Sequence, residues 1–324
     1  MGWNVFITRK IPQEAIDLLI SNGFIVDVYE HENSIPAELL KEKVAHCDAL
    51  LCLLTDSISK DVLKSANKLK IIANYAVGYN NIDLDYASKK NIVVTNTPGV
   101  LTNATADLTV TLILALARRI TEGDEMTRQG LFKGWAPLLL LGVEITEKTI
   151  GIIGTGRIGS AVAQRAYGFN MHILYVDEKQ NSIIEDKYKA ERVELNQLFK
   201  ESDFITLHIP LTDATYHLVN RERLKQMKSS AYLINTSRGA VVEEQALVEA
   251  LQENWIAGAG LDVYENEPEL TPGLAALKNV VLLPHIGSAT LETRTKMALM
   301  AAENIIALNK GIPPPNSVQA DIID

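Results

Sequence analysis

Two doubly wound α/β domains, each a parallel sheet covered by helices on both faces, are what this sequence predicts. Three features carry the prediction. Short apolar runs alternate with helical patterns from the first residues onward. The runs are continuously apolar, as strands buried on both faces are. The alternation occurs twice, in series separated by one long helix and an irregular stretch. At 324 residues the chain is too long for one ordinary domain and sufficient for two, each with its own core.

In the first series, strands are expected over 3–8, 24–28, 50–54, 69–73 and 92–95, with helices near 36–44, 58–66 and 82–90. Pro12 opens another helix in the first-turn position that suits its fixed φ, and Asn22-Gly23 closes it. A single long helix is expected over about 103–122, then an irregular segment, 123–148, containing Gly, Trp and Pro. The second series has strands over 149–153, 172–176, 204–208, 231–235, 256–261 and 280–283. A last helix near 289–310 is stopped by Gly311 and the triple proline that ends at Pro315.

Hydrophobic residues make up 47% of the chain and charged residues 22%, the balance of a soluble globular protein. The formal net charge is −9 and no dense Lys/Arg run exists, which speaks against nucleic acid as a partner. An anionic substrate must therefore be caught by a specific local cation. Cys47 and Cys52 fall in one apolar run that reads as a buried strand. Two cysteines without histidines at ligand spacing make no metal site, so none is expected, and reduced core cysteines suit a cytoplasmic location. The start lacks the long apolar stretch of a secretory leader. The longest helical apolar run, 108–117, is about half of the ~20 residues needed to cross a bilayer, so no membrane partner is expected.

The sharpest local signal is a strand, 149–153, followed by Gly154-Thr155-Gly156-Arg157-Ile158-Gly159 and a helix. In such a turn Gly154 permits the tight bend, Gly156 lets the backbone approach a pyrophosphate and Gly159 lets helix pack close to strand. Free N–H groups and the helix dipole then hold the anion. A second strand ends at Asp177, about 20 residues on, where a carboxylate accepts hydrogen bonds from the ribose. The plain alternative is a Gly-rich turn in a buried sheet, with Asp177 a strand-end acid in solvent. Asp177 would repel a ribose phosphate, and Glu178-Lys179-Gln180 form no arginine clamp, so NAD is expected over NADP.

Further stretches follow in order: Leu207 to Thr212, containing His208 and Pro210; Asn235-Thr236-Ser237-Arg238-Gly239-Ala240; Gly260 to Pro268; and Leu283 to Thr290, containing His285 and Gly287. On these motifs the sequence resembles, over essentially its whole length, the D-isomer-specific 2-hydroxyacid dehydrogenase family. The resemblance implies a flavodoxin-like substrate domain over 1–100 and 290–324, and a continuous Rossmann coenzyme domain over 101–289. It implies reduction of a small 2-oxo acid by NADH to a D-2-hydroxy acid.

By the same resemblance Arg238, Glu267 and His285 are the catalytic residues. The chemistry suits them. A guanidinium fork can hold a carboxylate and polarise the neighbouring carbonyl. An imidazole can deliver a proton near neutral pH, and a carboxylate can hold that imidazole charged. Taken singly, the three also read as a surface ion pair, a loop acid and a capping histidine. The resemblance further implies substrate contacts from Ala76, Val77 and Gly78, where backbone N–H groups would form a small anion nest, and from Trp135. Cofactor contacts are implied for Thr105, Gly154, Gly156, Arg157, Ile158, Gly159, Asp177, His208, Pro210, Thr215, Thr236, Ser237, Arg238, Asp262, His285 and Gly287. His172 and His217 read as structural.

Phosphoglycerate dehydrogenases of this family carry an arginine where this chain has Asn74, and they often carry regulatory domains for which 324 residues leave no room. Gly134-Trp135-Ala136-Pro137 resembles the glyoxylate and hydroxypyruvate reductase branch. Glyoxylate or hydroxypyruvate is therefore the expected substrate, with 2-oxogluconate reduction and D-lactate dehydrogenation as alternatives. Some relatives are NAD-sensing corepressors instead; the three catalytic positions and the lack of disordered flanks set this chain apart from them. Leu131, Phe132, Trp135 and Leu138 to Leu141 form too large an apolar patch for a solvated loop. The segment 123–148 is expected to be an arm packing on a second copy beside the helix 108–117, giving a homodimer in which Trp135 reaches the partner's cleft.

Overall fold

The computed structural model describes residues 2–318. The described residues divide into two compact units, one of residues 2–101 and 289–318, the other of 102–288. The last six residues of the expected substrate domain, 319–324, lie outside the described residues.

The first unit runs β1 (Asn4–Ile7), α1 (Gln13–Ser21), β2 (Ile25–Val28), α2 (Ala37–His46), β3 (Ala49–Cys52), α3 (Lys60–Lys64), β4 (Ile71–Asn74), α4 (Leu84–Lys89) and β5 (Val93–Thr95). All strands are parallel in the order β2-β1-β3-β4-β5, the flavodoxin-like arrangement. β3 and β4 are buried along their whole length, which is why they read as apolar runs, broken only by the buried Asn74 at the end of β4. Met297, Ala298, Ala301, Ala302 and Ile305 of the C-terminal helix, Leu291–Asn309, pack with Ile7, Leu51 and Ile71 in one core cluster. Pro12 caps α1 with an extended ψ of 130° instead of occupying its first turn. Cys47 ends α2 and is not part of the strand; both cysteines are free and buried.

The second unit runs α5 (Thr102–Ala117), α6 (Ile120–Arg128), β6 (Thr149–Ile153), α7 (Arg157–Gly168), β7 (His172–Val176), α8 (Ser182–Tyr188), β8 (Glu191–Arg192), α9 (Leu195–Glu201), β9 (Phe204–Leu207), α10 (Arg221–Leu224), β10 (Tyr232–Asn235), α11 (Glu244–Gln252), β11 (Gly258–Leu261) and β12 (Val280–Leu282). Its parallel sheet has the order β12-β11-β10-β9-β6-β7-β8. The order reverses between β6 and β9, and in a doubly wound sheet a ligand sits outside the strand ends at that switch point.

The long helix expected over 103–122 is two helices. Arg119 adopts φ +51°, and its guanidinium clasps Glu122 with two bonds of 2.8 and 2.7 Å. The carbonyl of Ala117 accepts the N–H of Val143, so the returning chain caps α5. No Gly or Pro marks this break; tertiary contacts make it. The expectation that 108–117 faces a second copy is also corrected in part. Leu112, Ile113, Leu116 and Ala117 are buried in the unit's own core with Ile150, Ile152 and Tyr175. The arm is exposed: Trp135 is 85% and Leu138 80% accessible, and Leu131, Phe132 and Leu141 are exposed with them. Among the described residues no helix is long and apolar enough to cross a membrane, and no group of three or more side chains could hold a metal ion.

Candidate active site

The glycine turn after β6 has the shape its sequence requires. Gly154 has φ +89°, and a Cβ there would lie 2.6 Å from the His208 carbonyl oxygen. A Cβ on Gly159 would lie 1.9 Å from the Gly154 oxygen, so only glycine lets α7 close on the strand. At Gly156, which caps α7, a Cβ would meet nothing within 4 Å. That open side, beside the first N–H groups of a twelve-residue helix starting at Arg157 and Ile158, is where a diphosphate fits.

Asp177 follows β7. Its Oδ2 accepts the Thr155 N–H at 2.5 Å and the Thr155 hydroxyl at 2.9 Å; Oδ1 has a longer contact, 3.4 Å, from the Lys179 N–H. Partial burial works against its charge, but the bonds from Thr155 prevail and hold the carboxyl below the usual carboxylate range. Asp177 is thus ionised and locked to the glycine turn. Asn181 secures the same turn, donating to the Thr155 carbonyl at 2.9 Å and to the Ser160 hydroxyl at 3.0 Å. On the other side of the switch point, burial pushes the His208 imidazole down to about 3, so it is neutral, and its buried Nδ1 has no partner among the described residues. Pro210 and Thr215 belong to the next loop, where the Thr215 hydroxyl bonds the Pro210 carbonyl at 2.6 Å.

β10 ends in a turn that aims Arg238. The Asn235 side chain accepts from Ser237 N–H and Oγ at 3.0 and 2.9 Å and donates to the Arg238 carbonyl at 2.9 Å. The Thr236 hydroxyl meets that of Thr109 at 2.9 Å. Arg238 Nη1 donates to the Ser237 carbonyl at 2.6 Å. Burial lowers the proton affinity of this guanidinium and the charge of Glu267 partly restores it. Among the described residues no carboxylate lies within ion-pair distance of Arg238. A desolvated arginine without a paired anion is a receptor for one.

Glu267 and His285 are joined, Oε2 to Nδ1, at 2.9 Å. The other Glu267 oxygen accepts the Tyr264 N–H at 3.0 Å. Partial burial opposes the Glu267 charge, but the bond and charge of His285 outweigh it, so its pKa lies below the ordinary value. His285 has a left-handed backbone, φ +54°, which a β-substituted residue adopts only under constraint. The constraint comes from Asp262, almost fully buried, whose two oxygens accept the N–H groups of Ile286 and Gly287 at 2.7 and 2.8 Å. Thr105 closes the loop with a 3.2 Å bond to the Gly287 carbonyl.

Arg238, Glu267 and His285 are therefore brought together in the second unit. Ala76, Val77 and Gly78 lie in the first, in the loop after β4. There the Ala76, Val77 and Gly78 carbonyls accept, each at 2.8 Å, from Thr97 N–H and from the Asn96 and Asn74 side chains. No described residue accepts from the N–H groups of 76–78. Asn74, fully buried, is the brace of this loop. Trp135 stands apart on the exposed arm. His172 and His217 have no place among these groups. Sequence reasoning missed Asn235, Asn181 and Thr109. Asn235 carries a faint signal, an Asx residue closing a strand, whereas Asn181 and Thr109 look like ordinary loop and helix residues.

Comparisons with known proteins point to one family. The family model of the D-isomer specific 2-hydroxyacid dehydrogenase NAD binding domain matches residues 110–287. A glyoxylate reductase of Thermococcus litoralis is 53% identical over 323 residues, covering 98% of this chain and 97% of that protein. The crystal structure of a glyoxylate reductase from Paecilomyes thermophila superposes with a TM-score of 0.87 at 30% identity, covering 99% of both chains. An NADPH-dependent glyoxylate/hydroxypyruvate reductase from Sinorhizobium meliloti, solved with NADP and malonate, also gives 0.87 at 30% identity, covering 98% of this chain and 97% of that one.

Proposed function

Because this chain belongs to the D-isomer specific 2-hydroxyacid dehydrogenase family, we propose that it reduces glyoxylate or hydroxypyruvate, with Arg238, Glu267 and His285 as the catalytic residues and D-stereochemistry in any chiral product. The observation that carries this reading is the desolvated, unpaired Arg238 beside the bonded Glu267–His285 pair. Nicotinamide, when bound, supplies the hydride. Arg238 holds the substrate carboxylate and polarises the carbonyl with its remaining donors. His285, fixed at Nδ1 by Glu267, presents Nε2 to give the carbonyl oxygen its proton. The N–H groups of 76–78, for which no described residue is an acceptor, form a small anion nest in the first unit, and we assign it a carboxylate as ligand. The Asp262 oxygens each retain a lone pair for an amide donor such as a carboxamide. A panel of 2-oxo acids with NADH tests the activity, and glyoxylate and hydroxypyruvate are expected to turn over fastest. Faster turnover of pyruvate or 2-oxogluconate would overturn the substrate assignment.

NAD is proposed over NADP because the ionised Asp177 stands at the end of β7. The neighbouring cation Arg192 is engaged, donating to the Asp177 and Glu178 carbonyls at 2.9 and 3.0 Å. Asp177→Ala is expected to weaken NADH about tenfold and to narrow its advantage over NADPH, since an acceptor and a repelling charge both go. The ratio of kcat/KM for the two cofactors reads this out; a parent enzyme already preferring NADPH would refute it.

The arm is proposed to pack on a second copy of the chain, in a cytoplasmic homodimer. Between Leu131 and Leu141 the only charge is Lys133, and this chain leaves the apolar side chains uncovered. Sedimentation at micromolar concentration is expected to give twice the chain mass. Trp135→Ala is expected to relax the preference for glyoxylate over bulkier 2-oxo acids, as a side chain lent to the partner's site would. A monomeric mass, or an unchanged preference, contradicts the assignment.

A further inference from the structure

Glu244 opens α11, is only 2% exposed, and has no cation within ion-pair distance among the described residues. Its partners are main-chain and hydroxyl donors of one loop. Oε1 accepts the Glu265 N–H at 3.2 Å. Oε2 accepts the Thr271 N–H at 3.2 Å and the Thr271 hydroxyl at 2.5 Å. Glu265 answers in kind: its Oε2 accepts the Glu244 N–H at 3.2 Å, and its Oε1 pairs with His217 Nε2 at 2.7 Å. The two anchors, Glu265 and Thr271, bracket Glu267. Between them Asn266 to Leu270 are exposed, so the loop has no core of its own to fix it.

The same loop lies against the turn that carries Arg238. A Cβ on Gly239 would fall 1.8 Å from the Tyr264 carbonyl carbon, so the two backbones touch. The His217 N–H donates to the Ala240 carbonyl, tying that turn to the residue that also holds Glu265. A carboxylate buried without a cation is a costly way merely to pack a helix start. Its three donors explain it, and all three belong to the segment that presents Glu267.

We propose that Glu244, with Thr271, is a positioning residue that sets where the Glu267 carboxylate stands and through it the proton-donating state of His285. The inference rests on the catalytic roles given to Glu267 and His285 above. Glutamine at 244 keeps the shape and one acceptor oxygen but turns an amide donor toward either the Glu265 N–H or the Thr271 N–H, each of which needs an acceptor. Glu267 then loses its seat while the fold keeps its volume.

The experiment follows kcat and KM for glyoxylate and NADH across pH in the parent, E244Q, T271V, T271S, E267Q and the double variant E244Q/E267Q, together with the NMR titration of the His285 ring nitrogens. E244Q is expected to lose about ten- to a hundredfold in kcat, the scale of a misplaced catalytic group, with KM for NADH unchanged. Its rate, and the His285 titration, should fall at lower pH than in the parent, the direction E267Q also takes. T271V should follow more weakly and T271S should restore the parent profile. The double variant should be no slower than E267Q. Should E244Q not fold, T271V carries the test, since it removes one hydroxyl and leaves the charge. Parent-like profiles in folded E244Q and T271V, beside a shifted E267Q, would overturn this inference alone. An unshifted E267Q would overturn the Glu267–His285 pair and this inference with it.

Discussion

Arg238→Ala is expected to cost about 1,000-fold or more in kcat/KM, the scale of removing a charged hydrogen-bonding partner from a desolvated contact. Three features of the structure set that scale. Partial burial lowers the proton affinity of the guanidinium and weakens its screening by water. One donor is spent on the Ser237 carbonyl, which fixes the plane of the fork. The turn beneath it is held by both ends of the Asn235 amide. Arg238→Lys is expected to recover little. Lysine lacks the planar fork, and burial disfavours its charge far more than that of arginine, which keeps its proton. Steady-state rates at saturating NADH decide the matter. Near-normal activity in the alanine variant would take Arg238 out of the site.

Much of the fold was legible because its strands are buried on both faces. Thr149–Ile153 and Phe204–Leu207 stand out as largely apolar runs, and Gly154, between β6 and α7, announces a turn in which a side chain would collide with the His208 backbone. Where a strand is short and at the edge, that signal vanishes: Glu191–Arg192 forms β8 from two charged, exposed residues. The break between α5 and α6 was illegible for another reason. Arg118 and Arg119 are good helix formers, and it is the distant Val143 N–H that ends the helix.

In the candidate site, the residues that would touch substrate sit in recognisable motifs, and the structure brings Arg238, Glu267 and His285 into one place. The residues that hold them do not stand out. Asp262 reads as a cofactor contact, yet both of its oxygens are bonded to the His285 loop. Glu244 looks like any acid in the first turn of a helix, where a carboxylate is favourable in itself. Only its burial distinguishes it, and burial of a first-turn acid is set by a loop more than twenty residues away.

His285→Gln is expected to slow the chemical step by about 100- to 10,000-fold, the usual span for a proton-transfer residue. Glutamine can still donate a hydrogen bond to Glu267, so the side chain keeps its anchor. The loss therefore measures the missing proton donor and not a displaced loop. NADH affinity should change little. The pH profile carries the sharper test. Reduction needs the donor protonated, so the parent rate falls as pH rises through the donor's titration; in the glutamine variant that limb should vanish. On the acid side the sign is set by Glu267. Its pKa is depressed, so its charge is present above the ordinary carboxylate range and persists some way below it. The Glu267–His285 pair should thus survive mild acid and be lost only when the pH falls through the lowered Glu267 value. A His285→Gln enzyme that keeps the parent's pH–rate curve would show that the proton comes from elsewhere. His217 would not be the substitute, because its Nε2 is already bonded to Glu265 at 2.7 Å.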